Sequence, residues 1–144
     1  MLVQQILKSR GDAEVISVRP STKISEVAAL LAVKRIGGVV VSEDGSHPVG
    51  ILSERDIVRA VAERGGPCLD LTADAIMTKK LETCTGEETT DQILQRMTEG
   101  RFRHMPVVKD GAMIGIVTIG DLVAARLSEL SMEKDALEGM IMGH

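Results

Sequence analysis

Most of this chain is one pattern used twice. The stretch Val49-Gly50-Ile51-Leu52-Ser53-Glu54-Arg55-Asp56-Ile57-Val58 returns as Ile114-Gly115-Ile116-Val117-Thr118-Ile119-Gly120-Asp121-Leu122-Val123, with the Gly, the Ser/Thr and the Asp each displaced by 65 positions. Upstream, Val41-Ser42-Glu43-Asp44-Gly45 matches Val107-Val108-Lys109-Asp110-Gly111, and Ser25-Glu26-Val27-Ala28 matches Asp91-Gln92-Ile93-Leu94, both at a displacement of 66. The first copy therefore holds one extra residue, placed around Ser46-His47-Pro48. A single copy is too small and too one-sided to bury its own sheet, whereas two copies packed together can do so. The expected architecture is α+β: two β-α-β-β-α repeats packed face to face with pseudo-two-fold symmetry, and clefts at the seam where a ligand fits.

Local patterns fill in that outline. Val15-Ile16-Ser17-Val18 is a β-branched strand, and Pro20-Ser21-Thr22 breaks it. Ser25 and Asp91 are the expected N-caps of the first helix in each copy, with Ile24, Val27, Ala28 and Leu31 at helical spacing. Val39-Val40-Val41 is a strand, and Asp44-Gly45 and Asp110-Gly111 are hairpin turns, because Gly tolerates positive φ. After Val49-Gly50-Ile51-Leu52, Ser53 or Glu54 opens a closing helix with Ile57, Val58 and Val61 on one face. The boundaries read as a first repeat with an N-terminal helix over 1–66, a linker and lead-in segment over 67–80, a second repeat over 81–127, and a helical tail over 128–144. The tail carries an apolar stripe, Leu127, Leu130, Leu137 and Met140, that suits packing or a dimer face, with Met132, Met140 and Met142 as a second candidate partner surface.

Composition excludes several functions. Among 144 residues, 44% are hydrophobic and 26% charged, as in ordinary globular domains. The net charge of -4 leaves no basic excess to neutralise a phosphate backbone, so no nucleic-acid partner is expected. No apolar run approaches a membrane span, so no membrane association is expected, and the N-terminus lacks a secretion signal. Cys68 and Cys84 stand outside any CxxC spacing and read as free thiols, which suits the cytoplasm. His47, His104 and His144 form no metal spacing, so no metal is expected. A P-loop, a nucleophile elbow and an HExxH are all missing, and catalysis is not expected. Phe102 is the one aromatic residue, so a flat ligand must be gripped by aliphatic side chains and backbone.

The pattern Gly-h-h-Ser/Thr-x-x-Asp, with h apolar, ends a strand and opens a helix in both copies. Taken with Arg103-His104-Met105-Pro106-Val107-Val108-Lys109-Asp110-Gly111 and with Ile76-Met77-Thr78, it resembles paired CBS domains, the Bateman module, over residues 1–127. The resemblance implies a disc-like homodimer, a regulatory role and an adenosine-containing ligand: AMP first, with ADP, ATP or NAD(H) as alternatives. Asp56 and Asp121 would accept hydrogen bonds from ribose hydroxyls, with Ser53 and Thr118 beside them. The same Ser/Thr-x-x-Asp spacing is also a helix cap, and both readings stand at this point. Ile16, Val18, Val39, Ile51, Met105, Pro106 and Ile116 are the candidates for an adenine slot, with ordinary core as the alternative.

In similar modules the phosphate is held by the other repeat, so the Asp56 site would draw on Arg101, Arg103 and His104. A solvated helix end is the alternative for that segment. The Asp121 site would face Gly37-Gly38-Val39, which lacks those cations. Lys34, Arg35 and Arg55 are possible substitutes, and the glycines would leave room for a bulkier ligand. Lys79 and Lys80 read as solvent-exposed linker charges. Ligand occupancy would be read by an unidentified protein target. The competing reading is an interaction scaffold with one or both nucleotide sites degenerate.

Overall fold

A computed structural model describes residues 1–11 and 15–142; His144 lies outside them. The elements run α1 (Val3–Ser9), β1 (Ser17–Val18), α2 (Ile24–Lys34), β2 (Gly38–Ser42), β3 (Pro48–Ser53), α3 (Glu54–Arg64), a 3-10 turn (Gly66–Asp70), α4 (Ala73–Ile76), α5 (Thr90–Gly100), β4 (His104–Lys109), β5 (Ala112–Thr118) and α6 (Ile119–Ile141). The architecture is α+β and the repeat is visible in it. β2 pairs antiparallel with β3, β4 pairs antiparallel with β5, and each hairpin carries one irregularity, after Val41 and after Val107. Gly45, Asp110 and Gly111 adopt positive φ as the turns require. In the first hairpin the Asp44 carboxylate accepts the N–H groups of Ser46 and His47, both at 2.8 Å, and this accommodates the extra residue.

The symmetry reaches individual backbone groups. Arg35 and Arg101 both end a helix in the left-handed conformation, at φ 55° and 58°. The Glu54 N–H donates to the Gly37 carbonyl, as the Ile119 N–H does to that of Arg103, each at 2.9 Å. The hairpin tips of the two repeats are joined by a hydrogen bond from the Met113 N–H to the Ser46 carbonyl, 2.7 Å.

The described residues form two cores. One gathers Val18, Ile24, Val27, Leu31, Val39, Val41, Leu52 and Ile57, and takes Ala73, Leu71, Ile76 and Met77 from the segment that follows the first repeat. The other gathers Ile93, Met97, Met105, Val107, Val117 and Leu122, and takes Val3, Ile6 and Leu7 from the N-terminus. The lead-in segments correspond: Val3 and Ala73 are fully buried, Leu7 lies over Gly115, and Met77 lies over Gly50. A Cβ on Gly50 would stand 2.6 Å from Met77 Sδ, and one on Gly115 would stand 2.7 Å from Leu7 Cδ2. The glycine of the repeated pattern is thus a packing requirement.

Four local expectations need correction. β1 is limited to Ser17–Val18, paired parallel with β2, and its counterpart in the second repeat is a single bridge from Cys84 to Val107. The N-caps are Lys23 and Thr89, not Ser25 and Asp91. The first needs no side-chain cap because the Ile24 N–H finds the Leu71 carbonyl at 2.9 Å, while Thr89 accepts from Gln92 and Asp91 favours the first turn electrostatically. On α3, Ile57 and Ala60 are buried, whereas Val58 and Val61 face outward. The tail is no separate helix: α6 runs unbroken for 23 residues from the closing position of the second repeat.

Candidate functional site

Two cavities lie on the seam between the repeats, one around each aspartate of the repeated pattern. The first, about 380 Å³, joins Ile51, Ser53, Arg55 and Asp56 of the first repeat to Arg101, Arg103 and His104 of the second. The second, about 470 Å³, joins Ile116, Thr118 and Asp121 to Ile16, Arg35, Gly37 and Gly38. Gly37, Glu54, Arg103 and His104 line both, and so form the wall between them.

Each aspartate sits in the first turn of its helix because the chain reverses there, and each does cap that helix. Ser53 Oγ accepts the Asp56 N–H at 3.3 Å, and Asp56 Oδ2 accepts the Ser53 N–H at 2.9 Å and its hydroxyl at 3.0 Å. Thr118 and Asp121 repeat this, at 3.2 Å for the Asp121 N–H and 2.7 Å for the Thr118 N–H. Capping occupies Oδ2 and leaves Asp56 Oδ1, among the described residues, with only long contacts, Thr78 Oγ1 at 3.4 Å and Arg59 at 4.0 Å. That oxygen is free to accept from a hydroxyl, so the capping and ligand-binding readings are compatible. Asp121 differs: Arg10, just past α1, is ion-paired to its Oδ2 and donates to the Ile116 carbonyl at 2.7 Å.

His104 is a weaker cation than the sequence reading required. Burial is the main cause that pushes its pKa below the ordinary 6.5, against the pull of Glu54, so the ring is neutral at pH 7. Its ring also bears on the question of the glycines. A Cβ on Gly38 would stand 3.1 Å from the imidazole, and one on Gly37 would stand 3.6 Å from Nε2. His104 stands in part of the space the glycines leave, and both glycines still line the second cavity.

Val18, Val39, Met105 and Pro106 lie in the core and line neither cavity. Lys34 lines neither, whereas Arg35 stands in the second cavity. Lys80 is exposed as expected, yet it lines the first cavity with Thr78, Arg59, Glu54 and the lone ring, Phe102. None of these last residues, nor Arg10, was legible as a site residue. Their positions depend on where the lead-in segments and helix ends cross the seam, which the linear repeat does not encode.

The first cavity carries more cationic than anionic side chains: Arg55, Arg59, Lys80, Arg101 and Arg103 against Glu54, Asp56 and Glu82. It therefore combines a free carboxylate oxygen, an apolar wall and a guanidinium cluster. Among the described residues no group of three or more His, Cys, Asp or Glu could hold a metal ion. No helix among them is long and apolar enough to cross a membrane.

The pattern of the CBS domain matches residues 7–63 and again residues 73–128. The chain belongs to the CBS-domain family. Solved CBS structures share its fold along nearly their whole length. A CBS-domain containing protein from Agrobacterium tumefaciens is 41% identical, with a TM-score of 0.83 over 88% of this chain and 99% of that one. A CBS domain protein from Pyrobaculum aerophilum, complexed with AMP, is 32% identical, with a TM-score of 0.77 over 92% and 99%. A further CBS domain pair, in complex with 5′-methylthioadenosine and S-adenosyl-L-methionine, is 26% identical, with a TM-score of 0.78 over 90% and 98%. The tandem CBS architecture covers both cavities, and α6 continues past the end of the second match.

Proposed function

We propose that this tandem CBS chain is a non-catalytic regulatory module that binds a phosphate-bearing adenosine ligand, AMP first, in the cavity around Asp56. One observation carries the reading: a single 380 Å³ cavity brings Asp56 and Ser53 together with Arg101 and Arg103 from the other repeat. Asp56 Oδ1 takes the ribose hydroxyls with Ser53 beside it, Ile51 and Phe102 flank the base, and the guanidinium groups take the phosphate. Relatives hold either AMP or uncharged and sulfonium nucleosides, and the cationic surplus here favours the phosphate. ADP, ATP and NAD(H) are the alternatives of the same charge type. His104, neutral at pH 7, acts as a hydrogen-bonding wall. The Ser53 hydroxyl is committed to its cap, which favours binding over turnover.

The exposed faces of the closing helices support a homodimer. Val58 on α3 and its counterpart Val123 on α6 are both exposed, with Val61 and Leu127 about one turn further on, so each closing helix carries an exposed apolar face. Along α6, Val123, Leu127, Leu130, Leu137 and Ile141 follow at steps of four and three, with Lys134 in the remaining slot; this is the seam of a helix that pairs with a copy of itself. We read the dimer as the unit that a protein target senses in the cytoplasm, with occupancy shifting how the repeats sit together.

Calorimetric titration with AMP, ADP, ATP, NAD, NADH, 5′-methylthioadenosine and S-adenosyl-L-methionine tests this. Saturable AMP binding, whose tighter phase is lost in Asp56→Ala and is at least about tenfold weaker in Arg103→Ala, is expected. Stronger binding of the sulfonium nucleoside would overturn the phosphate assignment. No heat from any ligand, with folding confirmed by circular dichroism, would overturn the module and favour a scaffold.

A further inference from the structure

The two lead-in segments correspond residue by residue, and each ends in a cation at its cavity. Val3 matches Ala73, Ile6 matches Ile76 and Leu7 matches Met77 in their contacts, so Arg10 matches Lys80. The outcomes differ. Lys80 stands at the first cavity, and among the described residues no ion pair joins it to Asp56. Arg10 reaches the Asp121 carboxylate and is held there by a second bond to the Ile116 carbonyl. Both groups it engages belong to the wall of the second cavity, and the oxygen it pairs with is Oδ2, the one the cap also uses, so it neutralises the carboxylate a ribose would need without taking the Oδ1 position.

We propose that Arg10 is the specificity-determining residue of the second cavity: its guanidinium neutralises the Asp121 carboxylate through Oδ2, so a ribose meets a weaker acceptor there than at Asp56, and an adenosine ligand binds better once that pair is broken. The inference rests on the ribose assignment made above for the repeated aspartate. It makes the two sites unequal by construction, with the Asp56 cavity filled first. The pair can be broken because it is only partly sheltered, with side chains 31% and 28% exposed, and such pairs are individually weak. The penalty is accordingly about two- to fivefold in affinity, not an absolute block.

Uncharged adenosine is the probe, because salt has little direct effect on its binding. In the Asp56→Ala background, where the first cavity is disabled, adenosine is titrated against the single variant and against Arg10→Ala/Asp56→Ala at low and high sodium chloride. The double variant should bind about two- to fivefold more tightly at low salt. Affinity of the single variant should rise with salt as the ion pair is screened, and the double variant should show no such rise. Arg10→Lys/Asp56→Ala, which keeps the charge, should retain part of the penalty. Equal or weaker binding by Arg10→Ala/Asp56→Ala, or no binding at all, overturns the inference. In that case AMP binding by the wild type, with its tighter phase lost in Asp56→Ala, would still leave the proposed function standing.

Discussion

At the scale of single residues, the wall between the cavities concentrates the consequences. Arg103 lines both sites, while His104 is a neutral ring under ordinary conditions, so the two neighbours should respond differently to substitution. Arg103→Ala removes charge-assisted bonds at about 1.5–3 kcal/mol, which is at least about tenfold in AMP affinity. His104→Gln should cost only a few-fold at pH 8, and calorimetry on the two variants separates them. His104 also shapes the pH response of folding. Its pKa in the folded chain lies below the ordinary 6.5, so the unfolded chain binds its proton first as pH falls. Its contribution to stability is therefore complete above that value and declines on acidification through it. Denaturant unfolding at pH 8 and pH 5.5 should show a smaller loss for His104→Gln than for the wild type. Cys84 is shielded by burial, which pushes its thiol up to about 12, with Glu88 acting in the same direction. It should resist iodoacetamide in the native protein at pH 8 and react on unfolding.

At the scale of elements, the two glycines of the repeated pattern make a comparison within one molecule. A Cβ on Gly50 meets both Met77 Sδ and, at 3.0 Å, the carbonyl oxygen of Thr78, whose strand-like pairing with Ile51 cannot shift cheaply. A Cβ on Gly115 meets only the flexible end of Leu7. Gly50→Ala should therefore destabilise by about 1–3 kcal/mol and Gly115→Ala by less, as measured by urea unfolding. The α6 seam gives a second element-scale expectation: Leu137→Glu should convert a dimer to a monomer by light scattering while leaving the far-ultraviolet dichroism of the monomer largely intact. Hairpins, turns and both capped aspartates were legible in the sequence because each is a local pattern with a local cause. The misplaced cap at Ser25 and the supposed break before the tail have other causes, whereas the true cap near Asp91, Thr89 with Gln92, is itself a local pattern. Leu71 caps α2 from far along the chain, and nothing at the end of the second repeat carries a helix-stopping Gly or Pro until Gly139.

At the scale of the molecule, the chain crosses the seam in both directions. The first seven residues complete the core of the second repeat, and residues 71–77 complete the core of the first. Ile6→Ala should therefore cost about 2–5 kcal/mol and lower the stability of the second repeat, although Ile6 precedes the first in sequence. Hydrogen exchange read at α5 and β4 would register that loss before β2 does. The cavities were legible as a place, since two repeats must meet somewhere, and Asp56 with Arg103 as their anchors. The contributions of Arg10 and Lys80 were not, because the lead-in segments bear little sequence likeness to each other and only their packing makes them equivalent. The stretch that recurs in the sequence and the stretch that buries itself are out of phase by one segment. A single copy excised at the boundaries of the repeat would carry a helix that fits another copy's interior and an interior still lacking its own, so it would stay soluble only by exchanging that helix with a mate.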